Sequence, residues 1–254
     1  MLLSISADAD VSWPDGVGLT VLPEVDSTNE EAMRIAPGLT GPHWILGLRQ
    51  TGGRGRGGRP WIDPAGNFAA TLVMPVTEAA ATVALRSFVA SLALFDSLVT
   101  LTGRPEIFAL KWPNDVLLNG GKLAGILLEN LPSGHLAIGI GINLRAAPSA
   151  ADVEKTTIRP VCLSGQTGVQ VLPEELLRII APAYAMREAQ FTSCGFGPIR
   201  EAWLARAARL GTEIRARIGS RDTAGTFETV DDQGRLILST THGRQAIPAA
   251  EVFF

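Results

Sequence analysis

The residues best able to do chemistry fall in four short stretches. Arg49, Arg54, Arg56 and Arg59 put four positive charges into eleven residues with no acid among them, and five glycines are interleaved. Guanidinium groups beside bare glycine backbone suit a phosphate or another polyanion, because charge attracts it and free N–H groups can approach it closely. Gly53-Arg54-Gly55-Arg56-Gly57-Gly58 also has the spacing of a dinucleotide fingerprint. That fingerprint needs its last glycine to open a helix. Pro60 and the Asp63-Pro64-Ala65-Gly66 turn leave no room for one. An RGG-type nucleic-acid segment is disfavoured too, since the tract is single and pinned between an apolar strand and Trp61. The expectation is a loop that folds over a bound polyanion and is loose without it; a solvated surface loop is the alternative.

Lys111-Trp112-Pro113-Asn114-Asp115 is the second stretch. Proline removes a ladder hydrogen bond from an otherwise good strand, so an edge or bulge is expected, from which Lys, Asn and Asp can point into a cleft. A strand-to-turn corner competes with that reading. Lys122 is third. Period-two alternation sets it on one face with Ala124, Ile126 and Leu128, at the rim of an apolar surface, with a snorkelling edge lysine as the alternative. Arginine outnumbers lysine 19 to 3, the lysines being Lys111, Lys122 and Lys155. A lysine in such a chain can mark a place that needs a compact ammonium. The fourth stretch is Asp26-Ser27-Thr28-Asn29, where Ser27 and Glu30 read as a capping box. Ser27 and Thr28 would also face any ligand at that helix start. Gly125, Gly139 and Gly141 leave side-chain gaps in adjacent strands, which admit a ligand, another backbone or a bulge.

Other chemistries find no support. Cys162 and Cys194 stand far apart without CxxC spacing, and His43, His135 and His242 are scattered, so neither a disulfide framework nor a zinc site is expected. No GxSxG elbow, HExxH helix or P-loop is present. A net charge of −3 offers no bulk attraction to nucleic acid or anionic membrane. The N-terminal MLLSISADADVSW lacks a signal-peptide pattern, and the most apolar stretch, 83–101, carries Arg86 and Asp96. At 46% hydrophobic and 19% charged, the 254-residue chain reads as a soluble, core-forming intracellular protein.

The elements that must position these residues follow from periodicity. Residues 17–25, 43–51 and 67–76 read as strands, and the helix after Ser27 stops at Pro37-Gly38. Residues 79–101 have a helical apolar pattern. A meander follows, FALKWPNDVLL, KLAGILLE and HLAIGIGINL, with a tight hairpin at Asn119-Gly120 and a turn at Pro132-Ser133-Gly134. Residues 145–172 read as a long loop, and 173–191 and 197–208 as helices, the first kinked at Pro182. From about 211, short strands and turns describe a small antiparallel barrel or sheet.

Together DSTN (26–29), RQTGGRGRGGRPW (49–61), KWPNDVLLNGGKLAGILLE (111–129) and GIGINL (139–144) resemble the biotin protein ligase family, in the family's order and over nearly the whole chain. The resemblance implies an α/β catalytic domain related to class II aminoacyl-tRNA synthetases, with a mixed, mainly antiparallel sheet, over residues 1–209. It also implies a Src-homology-3-like β-barrel over 210–254. Only about 25 residues precede DSTN, so the family's DNA-binding module and DNA binding are not expected. The implied activity is ATP- and Mg²⁺-dependent. Biotin becomes biotinyl-5′-AMP and is passed to a lysine of a biotin carboxyl carrier domain of a biotin-dependent carboxylase, in the cytoplasm. A homodimer is left open.

By the same resemblance Lys122, Arg56 and Lys111 are the catalytic residues. Ser27, Thr28, Gln50, Gly53 and Arg54 bind the ureido ring, and Gly125, Gly139 and Gly141 leave room for the apolar ring and chain. Arg59, Trp61, Asn114, Asp115 and Asn143, with Arg56, Lys111 and Lys122, line the ATP or adenylate side, and metal ligands are not assigned. The chain departs from the family's usual GRGRRGR at Gly57 and from its C-terminal ending in IPAAEVFF. A lipoate or octanoyl ligase of the same fold and a non-catalytic biotin sensor are the alternatives.

Overall fold

Apolar alternation along the strands builds a seven-stranded sheet with one face under helices and one face open to the site. The computed structural model describes residues 12–149, 158–219, 221–248 and 251–253. Its strands are β1 (Gly18–Leu22), β2 (His43–Gly47), β3 (Phe68–Pro75), β4 (Phe108–Lys111), β5 (Asp115–Leu118), β6 (Gly121–Leu131) and β7 (His135–Ile142), in the order β1-β2-β3-β7-β6-β5-β4. Only β1 and β2 run parallel; the other ladders are antiparallel. Asn119 and Gly120, both at positive φ, close the β5–β6 hairpin as expected.

Along β7, Leu136, Ile138, Ile140 and Ile142 enter the main core, while Ala137, Gly139 and Gly141 point the other way. Helices α1 (Thr28–Ile35), α2 (Ala80–Ala84), α3 (Arg86–Thr102), α4 (Leu163–Thr167), α5 (Pro173–Cys194) and α6 (Phe196–Leu204) complete the first unit. Helix α3 packs on α5, α6 and β4–β6, whereas α1 covers β2, β3 and β7 from the opposite face. The α2–α3 segment is long and apolar enough to cross a membrane by length and composition, but most of it is buried as the core helix. Leu92, Leu94 and Leu98 are fully buried there, each worth about 2 kcal/mol over an exposed position. The buried Arg86 is paired with Glu78 and Glu188.

Residues 213–253 carry a second sheet, β8 (Glu213–Ile218), β9 (Arg221–Val230), β10 (Leu236–Thr240), β11 (Gly243–Ile247) and β12 (Glu251–Phe253), paired antiparallel in the order β11-β10-β9-β8-β12. The architecture is therefore a mixed, mainly antiparallel α/β unit followed by a C-terminal β unit.

Two local expectations are corrected, and a third is narrowed. The expected long loop at 145–172 holds α4, and Pro160 bridges to Lys122; residues 150–157 lie outside the described residues. KWPND lies at the sheet edge, as one expectation had it, and forms the strand-to-turn corner rather than a bulge. The chain reverses at Trp112-Pro113-Asn114, so Lys111 and Asp115 face each other across the β4–β5 hairpin. The second correction concerns Lys122. A register shift between Val116 and Leu117 makes Ala124 and Lys122 oppose consecutive β5 residues. Leu123 and Ala124 both enter the core, and the bulge turns Lys122 to the open face instead of leaving it in line with Ala124 and Ile126.

Candidate functional site

The open face of the sheet carries a cavity of about 300 Å³ that every expected site residue except Gly53 lines. One end is polar and is built by the start of α1. Ser27 does not cap this helix through its side chain, and Glu30 is ion-paired with Arg54; the expected capping box is not formed. The buried Ser27 stands at the pocket wall. The Thr28 N–H and hydroxyl both donate to Gln50 Oε1, at 2.9 and 3.2 Å. Beneath them the Thr71 hydroxyl, fully buried, lies 2.8 Å from Thr28 Oγ1 and 2.6 Å from Asn29 Oδ1. Asn29 Nδ2 donates to Glu129 at 2.6 Å. Thr71 and Glu129 were missed in the sequence, although a threonine and a glutamate on otherwise apolar strands were signals available there.

Two of the glycine gaps are filled by this protein's own side chains. A Cβ on Gly139 would collide with the Asn29 amide, and one on Gly141 would sit 2.5 Å from the Trp61 ring. Gly125 also faces Trp61, at 3.3 Å. The missing side chains let Asn29 and Trp61 pack close against the sheet, where the three glycines still line the cavity, with the Trp61 Nε1 buried and unpartnered. Gly139→Ala should force Asn29 off Thr71 and Glu129. A destabilisation of about 1–3 kcal/mol is expected from such overpacking, read as a lower melting midpoint. An unchanged midpoint would show that Asn29 is free to move.

The middle of the pocket is cationic. Asp115 accepts from Lys122 at 2.8 Å and lies 3.4 Å from Lys111. Burial pushes the Asp115 carboxyl up, but the Lys122 and Lys111 ammoniums beside it outweigh burial and hold it below its usual value. Burial lowers Lys111, opposed by Asp115 and reinforced by the charges of Lys122 and Arg56. One carboxylate thus holds two ammoniums together, leaving net positive charge to meet an anion. Arg56 Nη1 donates to Asn114 Oδ1 at 3.3 Å, and Asn114 Nδ2 to the Ile126 carbonyl at 2.6 Å. Lys122 also stands 5.8 Å from the Trp61 ring centre.

The glycine–arginine loop is folded back on itself. Trp61 N–H donates to the Gly53 carbonyl at 2.9 Å and Gly55 N–H to Arg59 at 2.7 Å, around a short turn at Arg56–Gly58. No α-helix opens after Gly58, as expected. Arg54 is tied to Glu30 and Glu129, whereas Arg56 reaches over the site. At the far end Asn143, Pro148, Ile158, Pro160, Val252 and Phe253 complete the wall, the last two from the C-terminal sheet. Among the described residues no three acidic, histidine or cysteine side chains come together, and Asp115 is committed to two lysines.

A pocket with a hydrogen-bonding end, an aromatic-lined middle and a cationic cluster can hold an apolar acid with its carboxylate next to a phosphate. Residues 21–143 match the biotin/lipoate A/B protein ligase family, and 210–254 match the biotin protein ligase C-terminal domain. The chain is 55% identical over 238 residues to a biotin–[acetyl-CoA-carboxylase] ligase of Paracoccus denitrificans, covering 92% of this chain and 99% of that one. It is 30% identical over 243 residues to the enzyme of the same name in Mycobacterium tuberculosis, covering 92% and 88%. A biotin protein ligase of Aquifex aeolicus solved with biotin and ATP superposes with a TM-score of 0.81 at 27% identity, over 92% of this chain and 97% of that one. The fold and these matches define an acyl-activating protein ligase. The chain belongs to the biotin protein ligase family.

Proposed function

We propose that this chain activates biotin with MgATP as biotinyl-5′-AMP and transfers the biotinyl group to a lysine of a biotin carboxyl carrier domain. The observation that carries the reading is the Lys111–Asp115–Lys122 cluster, with Arg56 beside it, bordering the Trp61-lined slot. Two anions must meet in the first step: the biotin carboxylate attacks the α-phosphorus and pyrophosphate leaves. Fixed positive charge at that point stabilises the transition state more than water does, because it needs no reorganisation. Lys122 and Arg56 are assigned to the carboxylate and adenylate linkage, and Lys111 to the phosphates. Mg²⁺ enters as part of the nucleotide substrate, held by phosphate oxygens and water, as suits an ion that dehydrates reluctantly.

Ser27, Thr28 and Gln50 are assigned to the ureido ring, since hydroxyls and an amide can both donate and accept there. Gly125, Gly139 and Gly141 are assigned to the apolar ring and chain, and Trp61 and Asn143 with the far wall to the adenylate side. In the second step the carrier's lysine amine attacks the acyl carbon and AMP leaves. The catalytic domain is assigned to residues 1–209 and a Src-homology-3-like unit to 210–254, with Val252 and Phe253 bringing the latter to the pocket. The cytoplasm, where ATP and carboxylases meet, is the proposed location.

Incubation with MgATP and either biotin or lipoate, followed by mass analysis, tests the reading: biotinyl-adenylate alone is expected, and lipoyl-adenylate would move the assignment to the lipoate ligases. Loop closure should also retain the reactive anhydride by excluding water. Amides 53–59 should exchange hydrogen more slowly with biotin and MgATP than without. Equal exchange in both states would contradict closure.

A further inference from the structure

Glu129 sits behind the hydrogen-bonding end of the pocket, on a strand face that is otherwise apolar. Alternation along β6 puts it in line with Gly125 and Leu127, which line the cavity, but Glu129 itself stands outside that lining. Strand register places its partners. Gly139 on β7 pairs with Thr71 on β3 and with Leu127 on β6, one alternation from Glu129. The Asn29 amide fills the space over Gly139, so it lies between Thr71 and Glu129 and meets each of them at 2.6 Å. The second oxygen of Glu129 is 3.8 Å from the Arg54 guanidinium.

These contacts fix where the protons go. A carboxylate only accepts, so Glu129 selects the NH₂ end of Asn29 and turns the amide oxygen to Thr71. A hydroxyl has one proton, and Thr71 has two oxygen neighbours, Asn29 Oδ1 at 2.6 Å and Thr28 Oγ1 at 2.8 Å. The amide oxygen cannot donate, so it takes the Thr71 proton. The Thr71 oxygen then acts as an acceptor toward Thr28. The Thr28 proton is therefore shared inside the wall, between Thr71 and Gln50 Oε1 at 3.2 Å. Thr28 lines the cavity, and its oxygen lone pairs are left for a donor there. Reversing Asn29 reverses the chain: its NH₂ donates to Thr71, the Thr71 proton turns to Thr28, and a Thr28 lone pair is taken up within the wall. Thr71, Asn29 and Thr28 are all buried, so solvent does not reset the order.

We propose that Glu129 is a positioning residue: through Asn29 and Thr71 its carboxylate sets the direction of the hydrogen-bond chain that ends at Thr28, and so presents an acceptor there to an N–H of the ureido ring. The proposal rests on the ligase reading above. Glu129→Gln tests it, because the Arg54 guanidinium only donates and draws the new amide's oxygen, leaving the NH₂ to face Asn29 and reverse the chain. Arg54 keeps its ion pair with Glu30. Biotin affinity is measured by calorimetry without nucleotide for wild type, Glu129→Gln, Thr71→Val and the double variant. Melting midpoints and biotin-dependent pyrophosphate release are measured alongside. Glu129→Gln should bind biotin about fivefold more weakly, the worth of one neutral hydrogen bond, with a wild-type midpoint, kcat and KM for ATP. In the Thr71→Val background the chain is cut, and the same change should leave biotin affinity unaltered. Wild-type affinity in Glu129→Gln would overturn the proposal. So would an equal loss in both backgrounds, which would mean that Glu129 acts by a route other than Thr71. A lower midpoint with both biotin affinity and the KM for ATP impaired would also overturn it, as the signature of a merely structural residue. Absence of biotin-dependent release in wild type would instead count against the ligase reading, and the affinities would still decide on Glu129.

Discussion

Lys122→Ala should slow biotinyl-adenylate formation by roughly tenfold to 150-fold. Lys122 lies at the pocket face only because the β-bulge turns it there, 2.8 Å from Asp115 and above Gly125. A lost charge-assisted contact is worth about 1.5–3 kcal/mol, and each 1.36 kcal/mol is tenfold in rate. The loss falls on the chemical step because the charge matters most where carboxylate and phosphate are forced together. The fold should survive, since β6 keeps its ladders and Asp115 keeps Lys111 at 3.4 Å. Single-turnover pyrophosphate release at saturating biotin and MgATP measures the effect. A wild-type rate would remove Lys122 from the reaction.

Arg56→Gly should leave adenylate formation largely intact but release the intermediate at least tenfold faster. Arg56 is held to the site across the loop, by Asn114 at 3.3 Å, while Arg54 is tied down at the loop's root by Glu30 and Glu129. Removing the one leaves the hairpin at Gly53–Trp61 in place and takes away the grip of its tip. A loss of about 1.4 kcal/mol is a tenfold change in affinity. Lys111 and Lys122 still neutralise the reacting anions. Escaped adenylate then acylates exposed lysines at random, so a bystander protein incubated with the variant, biotin and MgATP should become biotinylated. Gly57, at positive φ in the loop tip, stands where the family's usual sequence has arginine. Negligible bystander labelling by Arg56→Gly alongside normal adenylate synthesis would end the retention role.

Much of this site was legible in the sequence because its residues are ones that packing would not choose. Lysines in an arginine chain, a proline within an apolar strand and glycines in adjacent strands all break a local rule, and such breaks tend to mark function. What remained hidden depends on contacts between distant segments. The direction of Lys122 turns on a one-residue bulge that strict alternation cannot foresee. Ser27 and Glu30 satisfy the capping pattern, yet Arg54 from another segment takes the glutamate. The gaps at Gly139 and Gly141 were readable as gaps, but that Asn29 and Trp61 fill them depends on how α1 and the loop fold across the sheet.

The central claim is that this pocket joins biotin to a protein lysine through ATP. The direct measurement is the intact mass of a purified, unmodified biotin carboxyl carrier domain after incubation with this protein, MgATP and biotin or lipoate. One biotinyl group on one lysine is expected, dependent on both ATP and biotin and abolished by leaving out either. An unchanged carrier mass, or lipoylation in place of biotinylation, would contradict it.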